Sequence, residues 1–287
     1  MQSRGNFVVR GTACVNNVRV RGDAARAWRK PLRTALASGI VMLQTGVVQS
    51  ASVAVRGAEG MVHGFLVLRS LEGAELADGD LSQVVRGDRV TSRVTLNFKD
   101  GSLHEETAVF SQRRIFRLVS NHLVQKGPTF PRAMDVTVDV AGGRVNVRYT
   151  DDNGKEKSIT ERLELPADLA NGIITTLLKN LPRDARSLTL PLVAATPKPR
   201  IVKLEVMLEG EDPFSIGRSQ RKAAHYRIKI NLGGVAGLVA PLLDKQPPDA
   251  HVWIMRAEAP AFVRSEGPLF AGGPIWRIEL TSPVWPH

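Results

Sequence analysis

Residues 134–150 constrain the fold of this chain more than any other stretch. Val136, Val138 and Val140 alternate with Asp135, Thr137 and Asp139; after Gly142-Gly143, Val145, Val147 and Tyr149 alternate with Arg144, Asn146 and Arg148. A period of two marks strands with one apolar face. Paired glycines suit a tight turn that needs positive φ at its centre. A two-residue turn there pairs Val140 with Val145, Val138 with Val147 and Val136 with Tyr149. All the apolar groups then share one face, and a slip of one residue would turn them out to water. The charges on the other face read as a solvated surface with weak ion pairs.

Asp151-Asp152-Asn153-Gly154 is a turn signal. It leads to a strand over Ser158–Leu165 and then to an expected helix. Pro166 suits the helix start, and Leu169, Ile173, Leu177 and Leu181 form an apolar ridge flanked by Ala170, Ile174 and Leu178. Lys179 falls in the last turn and Pro182 ends it. Gly172 inside this helix costs about 1 kcal/mol against Ala, and close packing on a sheet is the expected compensation.

Elsewhere the same grammar recurs. Val94, Leu96 and Phe98 alternate before Asp100-Gly101, a hairpin turn that sets Phe98 opposite Leu103. Gly73–Asp80 and Glu209–Gly217 read as loops. Val235–Leu243 reads as a second short helix, and Val252-Trp253-Ile254-Met255 as a strand apolar on both faces. Trp276, Ile278 and Leu280 alternate near the end of the chain. Without βα repeats a parallel fold is excluded. The expectation is a mainly β (α+β) single domain over residues 55–287: a large curled antiparallel sheet or half-barrel of roughly ten strands, with one or two helices on its concave side.

Residues 1–54 have a different character. Arg26, Arg29, Lys30 and Arg33 precede a mostly apolar run from Ala35 to Val48, and Ser50, Ala51, Ser52 and Ala54 follow. Basic region, apolar core and small-residue exit make a secretory signal over about 26–54, cleaved after Ala54. The apolar run is too short and too interrupted for a membrane span. The expected location is therefore periplasmic or extracellular. The leader also holds much of the chain's net charge of +11, eight basic residues against Asp23 alone, leaving 31 basic and 27 acidic residues beyond it. With aromatics at 5%, that balance argues against a nucleic-acid partner. The single cysteine, Cys14, also lies in the leader, so the exported part has no disulfide and no thiolate chemistry.

Catalytic signals are sparse. The six histidines, His63, His104, His122, His225, His251 and His287, show no zinc-hydrolase spacing, and of the His104-Glu105-Glu106 run only His104 and Glu106 share a face. There is no nucleophile elbow or phosphate loop, and Gly233-Gly234-x-x-Gly237 reads as a helix start. No cofactor and no metal site are expected. Glu105, Glu209, Glu211 and Asp212 leave a glycan hydrolase open as an alternative. What remains is the concave apolar face, with Val94, Leu96, Phe98, Phe116, Leu118, Val136, Val138, Val147, Tyr149, Trp253 and Trp276 as candidate lining for a lipid or other apolar ligand. The competing expectation is a structural or interaction module, docking an envelope protein, in which the same residues form a filled core.

The run Lys245-Gln-Pro-Pro-Asp249, with His251-Val-Trp253, Ala259-Pro-Ala-Phe262 and Gly272-Gly-Pro-Ile-Trp276, has the look of a family pattern without an attached activity. With the leader, the many-stranded sheet and the helical plug, residues 60–285 resemble the periplasmic lipoprotein-carrier (LolA-like) half-barrels and related bacterial envelope proteins. The resemblance is one of architecture. It implies an apolar ligand held by a curled sheet and transfers no site residue.

Overall fold

The computed structural model describes residues 52–216, 219–232 and 247–283. The leader's apolar run, Cys14 and the expected helix Val235–Leu243 lie outside them. The elements in chain order are β1 (Val62–Ser70), β2 (Glu75–Arg86), β3 (Arg89–Phe98), β4 (Leu103–Gln112), β5 (Phe116–Lys126), β6 (Met134–Asp139), β7 (Arg144–Thr150), β8 (Glu156–Arg162), α1 (Ile174–Lys179), β9 (Ser187–Ala194), β10 (Arg200–Ile216), β11 (Ser219–Asn231), β12 (Ala250–Met255), β13 (Ala261–Gly267) and β14 (Trp276–Pro283). The described strands number fourteen rather than roughly ten, all in one sheet. Part of the excess comes from polar segments read as loops. Most of Gly73–Asp80 belongs to β2, and Glu209–Ile216 extends β10 into a long ribbon with β11. Its residues are mostly polar, so it has no apolar alternation to betray it.

The sheet order is β8-β7-β6-β5-β4-β3-β2-β1-β14-β13-β12-β11-β10-β9, antiparallel throughout. The chain starts in the middle of the sheet and meanders out to β8. It crosses to the opposite edge at β9 and meanders back until β14 pairs with β1. This is the order of an up-and-down barrel cut open between β8 and β9.

The larger buried cluster explains how the sheet curls. It joins Val136, Val138, Val145 and Val147, near one edge, to Leu188, Leu190, Leu204, Val206 and Tyr226, near the other. Leu169, Ala170, Ile173, Leu177 and Leu178, from the β8–β9 crossing, belong to the same cluster. The crossing is therefore a plug with both ends of the sheet wrapped on it. A smaller cluster of Leu66, Leu68, Ala77, Leu96, Phe98, Phe130 and Trp276 lines the same face under β1–β3 and β14. Irregularities in β14, β5, β10 and β13 break the ladder where one strand gains a residue, and such bulges bend a sheet.

Two hairpin registers differ from the sequence expectation. Around Gly142-Gly143, Val138 faces Val145 and Val136 faces Val147, a shift of two residues. The Asp139 carboxylate accepts from the Gly142 amide at 3.1 Å and Gly143 donates to Val140 O, which makes a longer turn. A shift of two preserves the face, so the valines stay inside. Around Asp100-Gly101 the shift is one residue: Leu103 faces Asn97, and His104 faces Leu96. Gly101, at φ 84, donates to Phe98 O, and Asp100 accepts from the Ser102 amide at 2.9 Å. That slip turns His104, Glu106, Ala108 and Phe110 inward in place of their neighbours.

The expected helix over residues 166–181 shrinks to six residues of α1. Gly172 is the reason, because its φ of 68° ends one turn and starts another. A Cβ there would meet Asn121 Nδ2 at 2.7 Å and the Ala108 Cβ at 2.8 Å, so the plug passes against β4 and β5 where only glycine fits. Gly172→Ala should cost about 3 kcal/mol, combining left-handed strain with overpacking. Gly87→Ala has the same sign of φ, at 62°, and open space around it. It should cost about 1 kcal/mol. Urea unfolding of the two variants checks the difference.

Candidate ligand-binding site

The plug does not fill the whole interior. Between it and the wall formed by β1, β2, β13 and β14 runs a cleft of about 500 Å³. Val62, Gly64, Leu81, Phe262 and Leu280 line the wall, and Leu178 and Leu181 line the plug. The cleft separates the two apolar clusters, and Phe262 packs on both. Its mouth is basic, with Arg56, Lys179, Arg183 and Arg256 around it and Glu59 and Glu258 as the acidic members.

The segment leading into β1 builds one side of that mouth. Asn180, at the C-terminal end of α1, accepts the Arg56 and Gly57 amides at 2.9 and 2.8 Å and donates to Thr176 O at 3.0 Å. Lys179 Nζ meets Glu59 Oε2 at 2.5 Å, and Gln83 Nε2 donates to the same oxygen at 3.0 Å. The backbone of Glu59 exchanges hydrogen bonds with the Gln112 side chain. Lys179 is therefore neutralised in a buried network. Arg256 donates to the Tyr226 hydroxyl at 2.5 Å and to Arg183 O at 3.2 Å, and its guanidinium lies 5.5 Å from the Tyr226 ring centre. Among the described residues no carboxylate comes within ion-pair distance of Arg56, Arg183 or Arg256.

The residues expected to line a ligand occupy other places. Phe116, Leu118, Val136, Val138 and Val147 are buried in the larger cluster with Tyr149 at its margin. Leu96, Phe98 and Trp276 are buried in the smaller one with Val94 at its margin, and Phe98 packs on Trp276 at 5.6 Å between ring centres. Trp253 points to the opposite face of the sheet, where it lines a second cleft of about 400 Å³ under the bent β10–β11 ribbon. The cover over this strand is the ribbon itself: Asp212 accepts from Trp253 Nε1 at 2.8 Å, and the His225 ring stacks on the indole at 4.3 Å. His225, His251 and Glu209 come together there from three strands. No local spacing announces them; the only sequence signal is that His225, His251 and Trp253 fall on alternate positions of their strands.

Of the open carboxylates, Glu209 is bound to Arg227 and Asp212 to Trp253 and His225, while Glu105 sits on the outer face of β4.

Two polar groups enter the interior through the flipped register of β4. His104 is 7% exposed, with Nδ1 3.0 Å from Gln125 Nε2. Glu106 accepts from Asn121 Nδ2 at 2.9 Å, and burial raises its carboxyl above the ordinary range. Burial also pushes the His104 imidazole down to about 4.

No protein-family model matches the chain, and a search of curated proteins finds no relative. The fold belongs to the mainly β, barrel-like class. Among solved structures the chain is similar to a β-barrel-like protein of the domain of unknown function DUF1849 from Brucella abortus. The two share 9% identity over 83% of this chain and 99% of that one, with a TM-score of 0.43. The lipoprotein-carrier resemblance finds no support in these comparisons. Among the described residues no helix is long and apolar enough to cross a membrane.

The depressed imidazole gives a measurable pH dependence. The unfolded chain takes up a proton near pH 6.5 that folded His104 refuses until about 4. Stability is thus full above 6.5 and falls as the pH drops toward 4. Glu106, with a raised carboxyl, acts in the opposite sense, losing stability as the pH rises above the ordinary carboxylate range. Between pH 7 and 4.5 the His104 contribution should be about 2.5 kcal/mol. Urea unfolding of the parent and His104→Gln at both pH values isolates it, because the variant lacks that slope and keeps Glu106.

Proposed function

We propose that this is an exported envelope protein that holds an amphiphile, a molecule with an apolar chain and an acidic head, in the cleft between the plug and the β1–β2–β13–β14 wall. One observation carries the reading: the cleft is apolar within and rimmed by Arg56, Arg183 and Arg256, which pair with no carboxylate among the described residues. An apolar chain gains about 25 cal/mol for each Å² it buries in such a groove. An acidic head gains charge-assisted hydrogen bonds from the exposed guanidinium groups of Arg56 and Arg183. Arg183, exposed and without an anionic partner among the described residues, takes the head first. Export rests on the leader's basic, apolar and small-residue order.

A filled core favours a second reading, an interaction module, since ten of the eleven expected lining residues lie in or against the two packed clusters.

Binding of oleate to the purified protein, followed by titration calorimetry below its micelle concentration, separates the two. Ala259→Trp should fill the cleft and abolish binding. Arg183→Glu should weaken it about fivefold or more, the worth of one reversed rim charge. Oleate binding that survives Ala259→Trp, or no binding by the parent, would support the module instead.

We place the cut of that leader ahead of Val53 rather than after Ala54. Val53 is 7% exposed in the core, its carbonyl accepts from the Phe116 amide at 3.0 Å, and Ala54 pairs with Ile115. Cleavage among Ser50–Ser52, ahead of these contacts, keeps them. Intact-mass measurement of the exported chain should therefore give an N-terminus before Val53.

A further inference from the structure

We propose that Glu209, His225 and His251 form a binding site for a divalent transition metal on the outer face of β10–β12. This face is the reverse of the one that bears the apolar cleft, so the inference stands apart from the amphiphile reading. The three side chains offer ligand atoms that all lie within 4.8 Å of one another. His225 Nε2 and His251 Nδ1 approach to 2.8 Å. Two nitrogens on one tetrahedral zinc, each at about 2.0–2.1 Å, sit roughly 3.3 Å apart. A small rotation of either ring opens the pair to that spacing.

The surroundings set up His225 as a ligand. Asp212 Oδ2 lies 3.2 Å from His225 Nδ1 and also accepts from Trp253 Nε1 at 2.8 Å. A carboxylate facing Nδ1 keeps the proton there and leaves the Nε2 lone pair aimed at His251. That is the arrangement by which an outer carboxylate orients a metal-bound imidazole. The ring cannot swing freely, because it stacks on Trp253 with 13° between planes, and Arg264 lies 4.1 Å over the other partner of the stack, the indole.

Glu209 is the movable ligand. It now accepts from Arg227 Nε at 2.5 Å. Arg227 also donates to Asp249 at 3.2 Å, so it keeps an anionic partner when Glu209 turns to a cation. Two imidazoles and one carboxylate select Zn²⁺, Co²⁺, Ni²⁺ or Cu²⁺ over Mg²⁺ and Ca²⁺, which prefer all-oxygen sites. Three protein ligands leave a coordination position open.

Equilibrium dialysis of the full chain against Zn²⁺, with the metal counted by mass spectrometry, tests this. The expected result is one ion per chain, with His225→Gln and His251→Gln each weakening uptake at least tenfold. Asp212→Asn should weaken it about tenfold through lost orientation. His122→Gln, whose ring pairs with Asp135 far away in sequence, should leave uptake unchanged. Glu209→Gln changes only an exposed side chain, so it tests the site even if a histidine variant misfolds, and it should also weaken uptake. Cu²⁺ should quench the fluorescence of Trp253, and Trp253→Phe should lose that quenching while still taking up zinc. Uptake below half an ion per chain in the parent would overturn the assignment. So would uptake undiminished in folded His225→Gln, His251→Gln and Glu209→Gln.

Discussion

The ladder between β1 and β14 makes one sheet out of two. Without it the chain would be an eight-stranded meander and a six-stranded one, each with an additional open edge. The ladder runs from Gly64–Pro283 to Ser70–Trp276 with a single irregularity, and the Thr281 hydroxyl adds a bond to Phe65 O at 3.0 Å. Each such hydrogen bond contributes only about 0.5–1.5 kcal/mol net. The larger effect is geometric. Joining the meanders brings Leu66 and Leu68 against Trp276 and Phe98 to close the smaller apolar cluster. It also sets the wall that the plug faces across the cleft.

The two remaining edges are handled differently. At β9 the plug covers the edge. Ala170 donates to Pro191 O at 2.9 Å, and the Asn171 amide bonds both the carbonyl and the amide of Val193, at 2.9 and 2.8 Å. Asn171 thus stands in for a neighbouring strand. Pro191 has no amide hydrogen to leave unpaired there, which suits proline to an edge. At β8 nothing comparable among the described residues covers the ladder. That strand carries Glu156, Lys157, Glu161 and Arg162 and is mostly exposed, so charge discourages a second chain from adding to it. The same plug that seals β9 buries Lys179 against Glu59. Removing either partner of such a pair leaves a stranded charge, a larger penalty than the pair's own net stabilisation.

Period-two alternation made β3, β6, β7 and β14 legible, because each has one dry face and one wet face. It could not reveal the first half of β2 or the outer half of β10, where small and polar residues such as Ala77, Gly79, Glu209 and Glu211 leave no apolar row. Turn chemistry was legible as position but not as register. Asp139 and Asp100 each draw a nearby backbone amide to the carboxylate, and that bond, invisible as a pattern, decides where pairing resumes. A slip of two at Asp139 changed nothing inside. A slip of one at Asp100 brought His104 and Glu106 into the core. The plug's apolar ridge is buried as its spacing predicts, while the helix is cut short at Gly172, whose φ of 68° goes with close contact to Ala108 and Asn121. The arginine-rimmed cleft and the cluster of His225 with His251 depend on residues from distant strands. Adjacency in a folded sheet is a property of topology, and spacing along the chain does not encode it.

The junction of β1 with β14 also dictates when this molecule can exist. Thr281 and Phe65 are separated by 216 positions, so the contact that unifies the sheet is among the most non-local in the chain. Loop closure on that scale raises contact order and slows folding. A ribosome must have finished β14 before β1 can find its second neighbour. Until then β1 presents a bare edge, and the nascent polypeptide remains an incomplete sheet in need of a chaperone or a translocation channel to keep that edge from meeting another copy.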